Sequence, residues 1–281
     1  MPKGPGKSAP PVAPRVRRGY FESRYGQLHV HNAIPPGGGF DEGTSLICLH
    51  ATPQSGASVL PLLAQMGMDR SVYAPDLPGF GNSDPPPARP AIADYAAAVG
   101  DFCTSMRFRQ LDVLGYQCGA LVAAELALAL PTVVRRVVLM GVPVADETER
   151  ENFRKAPWPV AAAADGSHLQ VEWNRTRGSV HEATALEVVA RSFADKLSSG
   201  PQGWWGMQAA LQYPAERLRL LAQPTLLIRS REAPGQHAGN AVRDLLPRAR
   251  VIEVAEMYGS DLFESAATRL SVVLRDFLRN P

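Results

Sequence analysis

Cysteine is scarce in this 281-residue chain: Cys48, Cys103 and Cys118 are the only three. An odd number without metal-ligand spacing excludes a disulfide framework and a zinc cluster, and it fits reduced thiols in a cytoplasmic protein. No apolar run is long enough to span a bilayer, and no apolar stretch follows Met1 as a secretory signal requires. A surplus of one charge is missing too. The net charge of +2 excludes nucleic acid and membrane as expected partners. Acids are absent from residues 1–18, where Lys3, Lys7, Arg15, Arg17 and Arg18 stand among Pro and Gly. That segment is expected to be a disordered basic arm.

What is present points to one enclosed core. Hydrophobic residues make up 45% of the chain, enough to bury a domain with an insertion. Patterned runs at 19–24 and 27–33 flank Tyr25-Gly26 and predict an opening β-hairpin. Continuous apolar runs at 45–49, 111–114 and 134–140, with a shorter one at 72–74, predict strands buried on both faces. Helical spacing recurs at 57–66, 94–106 and 120–130, the last stopping at Pro131. Strands alternating with helices imply an α/β protein, its mostly parallel sheet covered by helices on both faces. The rhythm breaks after Pro143. Residues 144–213 are charged, helical in character and hold all four tryptophans, Trp158, Trp173, Trp204 and Trp205. Strands resume at 224–228 and 250–254, with helices at 238–246 and 262–278. The expected organisation is a core of 19–143 and 214–281, interrupted by a helical lid over 144–213.

Gly115-Tyr116-Gln117-Cys118-Gly119 sits between a strand and an Ala-rich helix. Glycines two positions either side of a central residue let the chain turn sharply and aim that residue outward. Two loops accompany the turn, His50-Ala51-Thr52-Pro53-Gln54-Ser55 and Asp76-Leu77-Pro78-Gly79-Phe80-Gly81-Asn82-Ser83-Asp84. On these motifs, and on 137–143 and 205–213 at the borders of the insertion, the chain from about Gly19 resembles the α/β-hydrolase superfamily. The likeness is to its epoxide-hydrolase and haloalkane-dehalogenase branch.

The resemblance implies a triad in the order nucleophile, acid, histidine. Each place departs from the pattern. Gln117 stands at the nucleophile place, and a carboxamide has no ionisable proton with which to attack. At the acid place, in Ser230-Arg231-Glu232-Ala233-Pro234, the family's Asp aligns with Ala233, and Glu232 is one step off. At the histidine place, in Tyr258-Gly259-Ser260-Asp261-Leu262-Phe263, this chain has Ser260, with Asp261 the nearest titratable group. The resemblance also implies an oxyanion hole from the backbone N–H groups of Ala51 and Cys118, which needs no nucleophilic side chain.

The catalytic candidates are therefore Gln117, Ser260, His50 and Glu232, with Ala51, Cys118, Gln54 and Trp205 facing the substrate. His50 is the acid–base candidate nearest the pocket, although the family uses this histidine to hold its loop. The Cys118 thiol is expected to be buried in helix–sheet packing. His181 lies in the lid, within reach of the cleft or simply on the surface. His29 and His31 on the first hairpin are expected far from the cleft, in no metal set. Asp76 and Asp84 brace their loop, and turn hydrogen bonding explains Ser55 and Ser83. Arg175 can meet a substrate carboxylate. Three functions follow: an atypical enzyme on a small carbonyl compound, a silent small-molecule binder, or a hydrolase with a rebuilt acid–base site. No cofactor or metal is expected, and the protein should be a monomer or homodimer.

Overall fold

The structure, a computed structural model, describes residues 14–36, 43–155, 160–230, 236–254, 259 and 261–279. Eight strands form one sheet: β1 (Val16–Ser23), β2 (Gly26–Ala33), β3 (Gly43–Leu49), β4 (Arg70–Pro75), β5 (Leu111–Tyr116), β6 (Val134–Met140), β7 (Thr225–Ser230) and β8 (Arg250–Val254). Their spatial order is β1-β2-β4-β3-β5-β6-β7-β8. The hairpin β1–β2 is antiparallel and joins β4 antiparallel, while every pair from β4 to β8 is parallel. The strand inferred at 72–74 extends over all of β4, and the helix inferred at 94–106 starts two residues earlier.

Strand alternation divides the core into two layers. Ile47, Leu49 and Val113 face α2 (Ile92–Ser105) and α3 (Cys118–Ala129). Leu46, Cys48 and Leu114 face α1 (Leu60–Met66) and α9 (Leu262–Arg279). Helix α3 buries ten of its residues, Cys118 through Ala127, and carries no amphipathic stripe, so it lies sandwiched rather than on the surface. Its one buried acid, Glu125, accepts from the Tyr213 hydroxyl at 2.7 Å and pairs with Arg217, which locks the helix from behind.

One expectation needs correction. Val16, Arg17 and Arg18 do not belong to a free arm: they are paired with Ala33, Asn32 and His31 in the outer strand. An edge strand gains its ladder hydrogen bonds from backbone, so its exposed arginines gave no apolar signal. Residues 1–13 lie outside the described residues.

Between β6 and β7 run α4 (Glu147–Lys155), α5 (Ser167–Gly178), α6 (Leu186–Ser198) and α7 (Trp205–Gln212). Helix α7 joins the core through Ala209 and Ala210, while α4 to α6 are thinly packed. Helix α4 buries nothing, α5 buries Thr176, and α6 buries Val189 and Ser192. Helix α8 (Gln236–Leu245) follows β7. Among the described residues no helix is long and apolar enough to cross a membrane.

Candidate active site

The turn from β5 into α3 carries the tightest backbone of the site. Gln117 has φ 50° and ψ −120°, a left-handed conformation that costs a non-glycine residue about 1–3 kcal/mol. Its surroundings hold it there. The Gln117 N–H donates to the Met140 carbonyl at 2.9 Å, and the Ala120 N–H donates to the Gln117 carbonyl at 2.8 Å. A Cβ on Gly115 would overlap the Gly119 carbonyl, and one on Gly119 would overlap the carbonyls of Leu49 and His50. Both glycines are thus required by close backbone approach, and the second presses α3 against the end of β3.

The loop after β3 is held by His50. Its Nε2 accepts from the Leu77 N–H at 2.8 Å and its Nδ1 donates to the Ala51 carbonyl at 3.0 Å. Both ring nitrogens are occupied by backbone, in the neutral Nδ1–H tautomer. Burial lowers its pKa, against the pull of nearby Asp76. This ring positions the loop, and no nitrogen is left to exchange a proton with a substrate.

Beside it, Asp76 accepts from the Gly56 N–H at 2.7 Å, the Asn82 N–H at 2.9 Å and His29 Nδ1 at 2.8 Å. Burial would raise its pKa, but the His29 and Asn82 hydrogen bonds and the neighbouring His50 outweigh that and hold it low. The expectation that His29 and His31 join no metal set is corrected: with Asp76 they form a buried group of metal-ligating type. β2 turns both rings to one side, where they meet edge to face at 4.6 Å and form a buried group with Asp76, with ligand atoms within 4.8 Å of one another. Residues two apart on a strand share a face. The missing information was that β4 delivers Asp76 to that face. Asp76 accepts from Gly56, Asn82 and His29, which ties this group into the loop as a brace.

Gly119 packs the start of α3, which carries Gln117 and Cys118, against the carbonyls of Leu49 and His50 just before Ala51, while Gln54 lies further along that loop, bonded to Ser192. The Cys118 thiol points away from the elbow and donates to the Gly206 carbonyl at 3.3 Å, and burial pushes its pKa up to about 12. Its backbone N–H opens α3, and among the described residues neither it nor the Ala51 N–H has a bonded acceptor. Trp205 begins α7, half-buried, next to Gly206. The Gln117 side chain donates from Nε2 to the Tyr116 hydroxyl at 3.3 Å, and that hydroxyl donates to the Gly259 carbonyl at 3.0 Å. Glu232, Ala233 and Ser260 lie outside the described residues. Asp261 is buried and accepts from the Thr184 hydroxyl at 2.6 Å. His181 is exposed and accepts from the Ala183 N–H at 3.3 Å, so it closes its own turn instead of reaching the cleft. Arg175 is paired with Glu172 at 2.7 Å.

Sequence reasoning missed the bonds between insertion and loop. Asp195 accepts from the Ser55 N–H and hydroxyl, Gln54 donates to Ser192 at 3.2 Å, and Ser199 donates to the Pro53 carbonyl at 3.1 Å. Ser192, Asp195 and Ser199 recur at spacings of three and four. That polar stripe on one helical face was the available signal.

Comparison with known proteins agrees with this architecture. A family model described as alpha/beta hydrolase fold matches residues 44–232. The chain belongs to the α/β-hydrolase family. A proline iminopeptidase of Heyndrickxia coagulans is 27% identical over 172 residues, 58% of each chain. A 2-hydroxymuconate semialdehyde hydrolase of Pseudomonas sp. strain CF600 is 39% identical over 87 residues, 30% of this chain and 29% of that one. The matches thus span little more than half of the first relative and less of the second. The solved structure of an enol-lactonase from Burkholderia xenovorans LB400 superposes with a TM-score of 0.77 at 16% identity, covering 93% of this chain and all of that one. At that identity the likeness concerns fold.

Proposed function

We propose that this protein acts on a small carbonyl-bearing organic molecule through an oxyanion hole formed by the Ala51 and Cys118 N–H groups, without a serine nucleophile. The observation that carries this reading is the elbow. Gln117 is held at φ 50° by its neighbours, with the Cys118 N–H at the first turn of α3. The backbone machinery is kept and the attacking group is replaced. In other enzymes one such donor is worth roughly 3–4 kcal/mol of barrier, enough to matter without acyl-enzyme chemistry. His50 orients the Ala51 peptide, and Gln117 supplies a polar contact to substrate or water. Gln54 and Trp205 border the same place, and residues 144–213 act as a lid tied to the oxyanion loop. Hydration, lyase-type cleavage, decarboxylation or cyclisation, with the proton exchanged with water rather than with His50, is the chemistry such a site can support.

Fluorophosphonate labelling tests this directly. The purified protein is expected to remain unlabelled, and strong labelling would overturn the reading. Against a panel of small esters, lactones and β-keto acids, turnover should survive Cys118→Ala and drop by about tenfold or more in Gln117→Ala. A ligand that raises the melting temperature but is never consumed would identify a silent binder instead.

A further inference from the structure

The polarity of one hydrogen-bond relay decides which end of the Gln117 carboxamide the site displays. The Tyr116 hydroxyl has a single proton, and it is given to the Gly259 carbonyl at 3.0 Å. Toward Gln117 that oxygen can only accept. The group facing it at 3.3 Å is therefore the amide –NH2, since a carbonyl oxygen there would oppose two acceptors. Oε1 is consequently turned away from Tyr116. Gln117 is only half-buried, and among the described residues no donor reaches that oxygen. Tyr116 itself is buried, against Phe263 at 5.7 Å on α9. Turning its proton toward Gln117 would give up the bonds to the Gly259 carbonyl and from Nε2 for a single new one, so the relay keeps this polarity. Burial pushes its pKa up to about 12, so it stays protonated.

With Ala51 and Cys118 read as two backbone donors, the residue preceding Cys118 adds one acceptor, Gln117 Oε1. An ester or ketone offers the two donors an oxygen but leaves the acceptor facing an apolar group. A carboxylate places a negative oxygen against it. A primary amide satisfies all three, its carbonyl oxygen on the donors and its N–H on Gln117 Oε1. We propose that this site selects carbonyl compounds bearing an N–H donor on the carbonyl carbon, primary amides being the simplest. Tyr116 is the positioning residue that sets this selectivity by orienting the Gln117 amide. The inference rests on the reading of Ala51 and Cys118 as the carbonyl-binding donors.

Isosteric ligand pairs test it: propionamide against butanone, and benzamide against acetophenone, each exchanging –NH2 for –CH3. Titrations followed by the backbone amide resonances of Ala51 and Cys118 report carbonyl engagement and affinity together. In the wild type the amide of at least one pair should bind about tenfold more tightly than its ketone. In Tyr116→Phe the preference should collapse to about threefold or less, because the freed carboxamide can present either end. Gln117→Leu, which leaves Tyr116 in place, should abolish it too, and ketone binding should persist in Tyr116→Phe. Ketones binding as well as amides in the wild type would overturn the proposal and leave the carbonyl-binding reading standing. A preference that survives Tyr116→Phe would remove Tyr116 from it. If no ligand shifts the Ala51 and Cys118 resonances, the carbonyl-binding reading falls and the selectivity with it.

Discussion

The carboxylate of Asp195 holds Ser55 at two points, accepting from its backbone N–H at 2.8 Å and from its hydroxyl at 2.6 Å. One residue belongs to α6 in the insertion and the other to the loop behind the elbow. The thinly packed part of the insertion thus gains through polar contacts what its few buried apolar side chains do not supply.

Breaking that contact should loosen the insertion. Asp195→Ala leaves two Ser55 donors without an acceptor and is expected to cost about 1–3 kcal/mol. Asp195→Asn can still accept from the N–H and donate to the hydroxyl, so it should cost less than about 1 kcal/mol. Burial raises the Asp195 pKa above its ordinary 3.8, against the Ser55 bonds that lower it. A raised carboxylate favours the fold most below that ordinary value, and the contribution fades as pH rises through the folded value. The deficit of Asp195→Asn should therefore shrink between pH 4 and pH 7. Urea unfolding at both pH values checks the sign, and a deficit that grows would refute it.

The strain at Gln117 is measurable by comparing two variants. Gln117→Gly and Gln117→Ala lose the same bond to Tyr116, but only glycine adopts φ 50° freely. The glycine variant should be the more stable of the two by about 1 kcal/mol. Equal stabilities would mean that the elbow relaxes in both.

All three thiols should be silent in the native protein. Cys48, Cys103 and Cys118 are buried, and burial raises each pKa, that of Cys103 to about 12. A thiol reagent at pH 8 is expected to titrate none of them before unfolding and all three in denaturant. Rapid native labelling of Cys118 would show that α7 does not cover it.

Acid should weaken the fold through His31 and His50. Burial lowers His31 from 6.5 to about 4, against the attraction of Asp76, and it also lowers His50. A depressed histidine stabilises above its unfolded pKa, and that stability drains away as pH falls through the folded value. Unfolding free energy should therefore decline between about pH 6.5 and pH 4. His31→Gln should flatten part of that slope. An unchanged slope would place the protons elsewhere.

By itself the sequence determined the fold and the departure at its centre. Apolar runs of strand length between helical stretches, and glycines at 115 and 119 around Gln117, are local patterns, so spacing alone reveals them. Residues 144–213 lack the apolar strand signal found on either side, and there the described residues run as helices between β6 and β7. The tertiary structure decided what those side chains do. His50 is engaged at both nitrogens because β4 delivers the Leu77 N–H beneath it. His29 and His31 became a group only when Asp76 arrived from another strand. Asp195 reaches Ser55 across 140 positions of chain, and Tyr116 reaches Gly259 across 143. No periodicity encodes such pairs. They arise from where the sheet order and the insertion bring distant segments together, and those placements are set by burial of the whole core rather than by neighbours along the chain.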